Sequence, residues 1–501
     1  MRILLPSIIS ISNKTWFFDI CSLSAIGIAF YLLFLGSYPL FTPDEGRYAE
    51  IALNMAVSGD YITPRMNGTI FLDKPILHFW LQAFAIRLFG AKEWAVRLFP
   101  ALFGMIGILM TYICGRHLFD RRTGLLSAIV LATTPLYFGG AHYANLDLEV
   151  AVLISCSLLA FIVAVNKAYH PYFLIISYAA AGFALLAKGL IGIVFPFMIV
   201  GIWTIFLWRW EILKKTHLLP GVFLILLIAA PWYLLAQEAN PQFLHYFFIG
   251  QQIIRYLSGA VFNNQMPFWF FLPVILIGFL PWTFFLLHTL LKLSHHSINL
   301  FLVLWITIIF VFFSIPHSKL VGYILPIFPP LALLVGNYFS KTWGETKRLL
   351  FTTCASISIL FLLLLTLNAN KLNRTTTKPL ALQLKEIIQP GDMVATYFRY
   401  FQDIPFYLGQ HVKIAANWDA PIIKQNDNWL REFWNSLSFQ NSNNQLINEA
   451  EFWQLWRDNK RIFVFVAINR LDQFQLHTKN YFVVGQYNNI FLISNKNAVG
   501  T

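Results

Sequence analysis

"FTPDEGRYAE", residues 41–50, sets two adjacent carboxylates, Asp44 and Glu45, directly after the first long apolar segment. In a chain that is only 12% charged, that pairing needs a reason, and two compete. Thr42 is a good helix cap, Pro43 suits a first helical position, and Glu45 stands three residues past the cap, the spacing of a capping box. Behind them Tyr48, Ile51, Ala52 and Met55 recur at helical spacing, which predicts an amphipathic helix over 43–57 on the outer membrane surface, ended by Ser58-Gly59. This structural reading accounts for Glu45. Asp44 is left over, because a first-turn carboxylate gains only about a few tenths of a kcal/mol from the helix dipole; chemistry is its other explanation.

The surroundings decide what kind of chain this is. Of 501 residues 57% are hydrophobic and 17% aromatic, in long uninterrupted runs, which excludes a soluble globule and predicts a polytopic protein embedded in a lipid bilayer. Runs of a length able to cross, about 17–25 residues, centre near 20–40, 95–115, 123–140, 149–166, 172–187, 190–208, 217–236, 268–290, 298–314, 320–340 and 349–367. Eleven spans put the termini on opposite sides. One set of loops carries Arg2, Lys14, Arg116, Arg121, Arg122, Lys167, Arg209, Lys214, Lys215, Lys292, Lys341, Lys347 and Arg348, so that side is cytoplasmic. The periplasmic side then receives 41–94, Asp147, Lys188, 237–267, "IPHSK" at 315–319 and everything after 367. "PILHFWLQAFAIRLFG", 75–90, is apolar but would reach only about 24 Å of a core of about 30 Å. It reads as a second interfacial helix, opened by Pro75 and stopped at Gly90. The N-terminus has no small-residue cleavage site before Lys14 and is read as retained.

Other classes are excluded on similar grounds. The net charge of +13 is spread singly between apolar runs, where topology and lipid phosphates explain it, and no nucleic-acid recognition module accompanies it. Cys21, Cys114, Cys156 and Cys354 lie in apolar segments without CxxC spacing, so neither disulfides nor a thiolate metal site is expected. After residue 367 the chain turns polar. Helical stretches "PLALQLKEIIQ" and "NEAEFWQLWRDN" and β-rich runs "MVATYF", "RIFVFVAI" and "YFVVGQYNNIFLIS", the last with an Asn-Asn turn, predict a small α/β domain. The expected division is a membrane domain over 1–367 and a periplasmic domain over 368–501, without internal repeats.

Several single charges fall on the periplasmic side, each with a structural reading of its own. Asp73 in "FLDKP" suits a cap and Lys74 a snorkelling anchor; Asp147 suits a first-turn acid, and Lys188 in "LLAKGLIG" another snorkelling lysine. Arg255 and Lys319 are isolated charges in outer loops. Together they form an inventory for handling an anionic lipid headgroup with acid and base help at one membrane face.

Here a resemblance becomes specific. "TPDEGRYAEIALNMAVSGDYITPRMNGTIFLDKPILHFWLQAFAIRLFGAKEWAVRLFPAL", "LLAKGLIG", "HSKLVGYILPIFPPLALL" and "GDMVATYFRYFQDIPFYLGQ", in that order, resemble the protein O-mannosyltransferase superfamily, and within it the bacterial lipid A aminoarabinose transferases. The resemblance runs from about residue 40 to residue 415 and implies a GT-C glycosyltransferase fold with two interfacial helices after the first span. It also implies transfer of a sugar from a polyprenyl phosphate to a periplasmic acceptor, lipid A or another. Carried over by position, it makes Asp44 the catalytic acid and Asp147 a second acid, with Lys74 and Arg255 on the donor phosphate. Lys188 and Tyr323 match cavity residues, Arg47 and Tyr48 continue the first motif, and Glu45, Asp73 and Lys319 complete the substrate-binding candidates. Two departures stand out: "EKP" of the family is "DKP" here, and Gly250-Gln251-Gln252 replaces a His-Glu-His run. A divalent metal ion is therefore left open as a cofactor, and no nucleotide cofactor is expected.

The expected reaction is inverting glycosyl transfer, with Lys74 and Arg255 stabilising the departing lipid phosphate and Asp44 orienting or deprotonating the acceptor. One alternative changes the acceptor to a protein or polysaccharide hydroxyl. Another is a transporter of a polyprenyl-linked sugar, which calls for paired broken helices in corresponding halves; the sequence displays none.

Overall fold

The computed structural model describes residues 13–166, 169–257, 264–294, 296–425, 428–440 and 444–497. The N-terminal stretch read as retained, with Arg2 and Lys167, lies outside the described residues. Seven helices are long and apolar enough to cross a membrane: Lys14–Leu32, Glu93–Leu118, Leu146–Val165, Leu218–Ala239, Ser297–Ser314, Val321–Lys341 and Glu345–Leu367. Tyr172–Lys188 and Ile191–Leu207 are apolar but shorter, at 17 residues each. Two further expected spans are bent pairs, Arg121–Ala132 with Pro135–Ala141 at 68° and Phe268–Gly278 with Trp282–Leu291 at 103°. All eleven expected positions are thus occupied by apolar helix, and eleven crossings require both bent pairs and both short helices to cross. The architecture is that of a multi-pass membrane protein. Phe17, Phe223 and Leu291 lie on the outside of the bundle, where only lipid makes their exposure favourable.

The two breaks correct the expectation that no broken helices occur. Each falls at a proline, Pro135 and Pro281, which removes an internal hydrogen bond. Side chains tie the first break to its neighbours: the Trp282 indole donates to Thr133 Oγ1 at 3.0 Å, and the Ser358 hydroxyl donates to the Thr133 backbone carbonyl. The breaks therefore brace one another. Neither borders the large cavity described below, whereas transporter half-helices point their ends at the ligand.

Leu146–Val165 is the central helix, buried over nearly its whole length, as its all-round apolar sequence requires. Small residues let its neighbours approach. At Gly107 a Cβ would stand 2.0 Å from the Tyr137 hydroxyl, and at Gly124 one would stand 2.7 Å from the Tyr112 carbonyl oxygen.

The first interfacial helix spans Asp44–Ser58 and is closed by Gly59 at φ 76°, whose N–H returns to the Met55 carbonyl. It departs from expectation twice. Thr42 does not cap it: its hydroxyl donates to the Thr375 carbonyl at 2.9 Å, and Glu45 accepts from the Phe41 N–H rather than closing a capping box. Nor does the helix lie open on the membrane, because Gly46, Ala49, Glu50 and Ala52 are buried along with its apolar stripe. The cover is the C-terminal domain. The second interfacial helix, Leu77–Phe89, starts two residues after Pro75 and ends at Gly90, with Phe84 and Leu88 facing outward.

Between the two helices, Arg65–Met66 and Thr69–Ile70 form a hairpin about Asn67-Gly68, both at positive φ, the turn chemistry of an Asn-Gly pair. The C-terminal sheet has six strands in the spatial order 446–448, 413–416, 393–397, 462–467, 490–494, 482–487. Its first four strands are parallel and its last two form an antiparallel hairpin. Ile462–Ala467 is buried at every position, as suits a central strand covered on both faces. The short strands 413–416 and 446–448 lack any sequence periodicity of their own.

Gly46 measures how tightly the domain is seated. A Cβ there would stand 2.8 Å from the Asp403 amide nitrogen and 3.0 Å from the Gln402 carbonyl carbon, backbone atoms that cannot swing aside. Gly46→Ala should therefore lower the melting temperature in detergent, because overpacking of about 1–3 kcal/mol outweighs the gain of about 1 kcal/mol in helix propensity. A melting temperature that stays level or rises would show a slack contact.

Candidate active site

Polar side chains from several elements converge on one cavity of about 620 Å³ between the membrane helices and the C-terminal domain. Asp44, Arg47 and Tyr48 reach it from the first interfacial helix, and Asp73 and Lys74 from the turn before the second. Asp147, Lys188, Arg255 and Tyr323 reach it from the membrane domain. Nine of the eleven residues expected at the site thus line one space. Glu45 and Lys319 do not.

Glu45 is fully buried behind Asp44. Arg97 grips it with two bonds, Nε to Oε1 and Nη2 to Oε2, both 2.7 Å, while its remaining donors reach the carbonyls of Leu35, Tyr38 and Pro39. Glu45 also accepts the N–H groups of Phe41 at 2.8 Å and Ala144 at 2.7 Å. It is corrected here from a substrate contact to the tie between two loops. Lys319 is likewise structural, since its ammonium donates to the carbonyls of Met266 and Pro316.

Asp44 accepts from Arg47 Nη2 at 2.7 Å on one oxygen and faces the Tyr143 hydroxyl at 3.4 Å on the other. Arg47 also donates to Glu432, and its guanidinium packs over the rings of Tyr48 and Trp429 at 4.9 and 5.2 Å. Burial opposes the Arg47 charge, and Glu432, Asp44 and Asp73 outweigh that penalty, so its pKa lies above the ordinary value. Asp147 is the first-turn acid of its helix, behind the Asn145 cap, and pairs with Lys188. Lys188 in turn sits 4.3 Å over the Tyr323 ring. At Gly322 a Cβ would stand 2.2 Å from Asp147 Oδ2, so only glycine leaves the carboxylate in place.

The replacement at Gly250-Gln251-Gln252 acquires a physical role. Asp73 accepts from the Tyr246 hydroxyl, Tyr246 accepts from Gln251 Nε2 at 3.0 Å, and Gln251 Oε1 accepts from Arg255 Nη1 at 3.4 Å. This relay joins the acid of "DKP" to the arginine. Lys74 stands beside it, and among the described residues no carboxylate pairs with its ammonium. Burial, reinforced by repulsion from Arg255, pushes the Lys74 pKa down to about 7.

Among the described residues no three His, Cys, Asp or Glu side chains gather to hold a metal ion. Of the cavity acids, Asp44 pairs with Arg47, Asp147 with Lys188 and Glu432 with Arg47 through one oxygen, while Asp73 accepts from the Tyr246 hydroxyl.

Sequence reasoning missed Tyr246, Asn145 and the whole contribution of the helix Trp429–Ser436, which brings Glu432 to the cavity. Asn428, whose side chain caps that helix through the N–H groups of Leu430 and Arg431, is a legible start signal. Nothing local in "WLREFWNS" tells that the helix folds back over residue 47.

The two carboxylates of the opening motif should separate experimentally. Arg97→Ala leaves Glu45 buried without a cation and should cost about 3–5 kcal/mol of stability. Asp44→Asn disturbs only a partly exposed pair, worth under about 1 kcal/mol. Thermal unfolding in detergent should therefore show a large shift for the first and a small one for the second; equal shifts would make both carboxylates structural.

Known proteins share this sequence pattern and this fold. Residues 73–234 match the dolichyl-phosphate-mannose-protein mannosyltransferase family. The chain is 29% identical over 394 residues to undecaprenyl phosphate-α-4-amino-4-deoxy-L-arabinose arabinosyl transferase 1 of Pseudomonas fluorescens, covering 76% of this chain and 69% of that one. It is 32% identical over 333 residues to the corresponding transferase of Erwinia tasmaniensis, covering 64% of this chain and 59% of that one, less than two thirds of its length. The crystal structure of ArnT from Cupriavidus metallidurans bound to undecaprenyl phosphate superposes with a TM-score of 0.84 at 24% identity, over 98% of this chain and 100% of that one. Fold, motif order and sequence identity agree: the chain has the GT-C fold of a membrane glycosyltransferase and is similar in sequence to the undecaprenyl-phosphate aminoarabinose transferases.

Proposed function

We propose that this chain is an inverting glycosyltransferase that moves a 4-amino sugar from undecaprenyl phosphate to a phosphate of lipid A, at the periplasmic face of the bacterial inner membrane. The observation that carries the reading is Lys74, beside Arg255 and without a carboxylate partner, in the same cavity as Asp44. A cation so placed calls for an anion. The relatives supply its chemistry, since the arabinosyl transferases act with undecaprenyl phosphate-α-4-amino-4-deoxy-L-arabinose and Cupriavidus ArnT binds undecaprenyl phosphate.

In the reaction the bond from the anomeric carbon to the donor phosphate oxygen breaks, and its electron pair stays on the phosphate. Lys74 and Arg255 stabilise the charge that develops there. An oxygen of the acceptor phosphate, already an anion, forms the new bond from the opposite face. Asp44, clamped by Arg47 and Tyr143, positions that acceptor; a hydroxyl acceptor would require it to take a proton as well. The reading uses no nucleotide cofactor.

Asp44→Asn should abolish transfer while leaving a folded protein. Lys74→Ala should weaken undecaprenyl phosphate binding by about 1.5–3 kcal/mol, the worth of a charge-assisted contact. The pH dependence has a definite sign. The Lys74 ammonium is present below about 7 and lost above it, so affinity should fall as pH rises from 7.5 to 9.5, a range in which the phosphate is fully ionised. Lys74→Arg, charged throughout, should flatten that slope. Titration of tryptophan fluorescence with undecaprenyl phosphate measures all three, and a wild-type affinity level across that range would remove Lys74 from the phosphate site.

The proposed orientation places the N-terminus in the cytoplasm and the C-terminal domain in the periplasm, from the Lys/Arg asymmetry of the loops. In a cysteine-free background, Ser58→Cys and Asn459→Cys, both at exposed positions, should react with an impermeant thiol reagent on intact spheroplasts, and Arg348→Cys should not. Labelling of Arg348→Cys would reverse the orientation.

A further inference from the structure

We infer that Glu432 of the C-terminal domain recognises the positively charged amino group of the donor sugar. The inference rests on the glycosyltransferase reading above and deepens it, since it concerns which sugar the cavity selects.

Glu432 lies on the helix Trp429–Ser436, yet it lines the same cavity as Asp44, Asp73 and Lys74. One of its oxygens, Oε1, accepts from Arg47 Nη1. The other, Oε2, is buried and has no hydrogen-bond partner among the described residues. A buried carboxylate oxygen without a donor is costly, and such an atom at a cavity wall marks where a donor of the ligand belongs. Burial and the neighbouring Asp73 and Asp44 push the Glu432 pKa up to about 7 against the pull of Arg47 and Lys74, so a further cation at Oε2 would hold it ionised.

The chemistry of the ligand matches this arrangement. In a 4-amino-4-deoxy pentose the amino group lies across the ring from the anomeric carbon, so a donor held by its phosphate presents an ammonium at its far end. The cavity offers both partners in one space: cations for the phosphate, Lys74 and Arg255, and a carboxylate with a vacant acceptor for the ammonium. A sugar with a hydroxyl at that position would return only a neutral hydrogen bond and leave the carboxylate without its counter-charge. Sites built around a specific polar partner reject analogues that lack it.

The test compares kcat/KM for undecaprenyl phosphate carrying 4-amino-4-deoxy-arabinose and for the same lipid carrying arabinose, in detergent-purified wild type and E432Q. Wild type should favour the amino donor by about ten-fold or more. E432Q should bring that ratio to within about two-fold of unity, through the KM of the amino donor, with binding of sugar-free undecaprenyl phosphate as the check that the cavity is intact. An E432Q enzyme that keeps the preference, or loses both donors in equal proportion, overturns the inference and makes Glu432 a support for Arg47 alone. Should the glutamine variant not fold, E432D draws the carboxylate back by one methylene and must lower the same ratio; an unchanged ratio overturns the inference equally. Wild type that uses both donors alike overturns the inference but not the function, whereas wild type that transfers neither overturns the function itself.

Discussion

The buried pair of Glu45 and Arg97 is the constraint on which the site depends. Two charges with no exposed surface are tolerable only when every lone pair and every N–H finds a partner, and here they do: five bonds leave the guanidinium, and the carboxylate accepts two backbone N–H groups besides. The consequence is geometric. Phe41 precedes the helix that carries Asp44, and Ala144 precedes the turn that carries Asp147, so one side chain fixes both cavity acids relative to each other. The carbonyls of Leu35, Tyr38 and Pro39, held by the same arginine, fix the exit of the first span.

The C-terminal domain extends this grip rather than sitting apart from it. Asn373 donates to the carbonyls of Pro39 and Leu40, and the Leu40 N–H donates to the Tyr407 hydroxyl. Farther along the same interfacial helix, Glu50 accepts from the Asn67 N–H and from the Tyr400 hydroxyl, and Asn67 exchanges two hydrogen bonds with Val412. The segment leading into Asp44 is thus held from below by the membrane domain and from above by the sheet. A polar site at a bilayer surface needs such cover, because its charges act strongly only where water is excluded.

What could be read from the sequence follows the range of the forces involved. Apolar runs report burial in lipid locally, and so the eleven helical positions, the two interfacial helices and the strands 393–397 and 462–467 were legible. Pro135 and Pro281 were visible too, but a run of apolar residues hides the bend that each introduces. Among the site residues, nine were legible through motif order, not through local chemistry. Glu45 defeats that logic: as the neighbour of Asp44 it shares its motif, yet a helix turns by about 100° per residue, so adjacent side chains face different ways. One points at the cavity and the other at Arg97, 52 residues on. Glu432 was hidden for the opposite reason. It stands 385 residues from Arg47, and only the docking of the sheet brings the two together.

The charge pattern of the cavity then explains why Lys74 differs from its neighbours. Arg47 has Asp44 and Glu432, and Lys188 has Asp147 and the Tyr323 ring, so each has its counter-charge without a ligand. Arg255 is linked through Gln251 and Tyr246 to Asp73, a relay of neutral side chains that aims the guanidinium. Asp73 stands next to Lys74 in the chain with its Oδ1 engaged by Tyr246, and its pull on the lysine is outweighed by burial and the charge of Arg255. Positive charge is thereby concentrated beside "DKP" and compensated elsewhere in the cavity. An anionic group entering there relieves the repulsion between Lys74 and Arg255 and restores the lysine's proton, so binding and charging are one event. The relay through Gln251 makes that possible because its amide donates to the Tyr246 hydroxyl and accepts from the arginine at once.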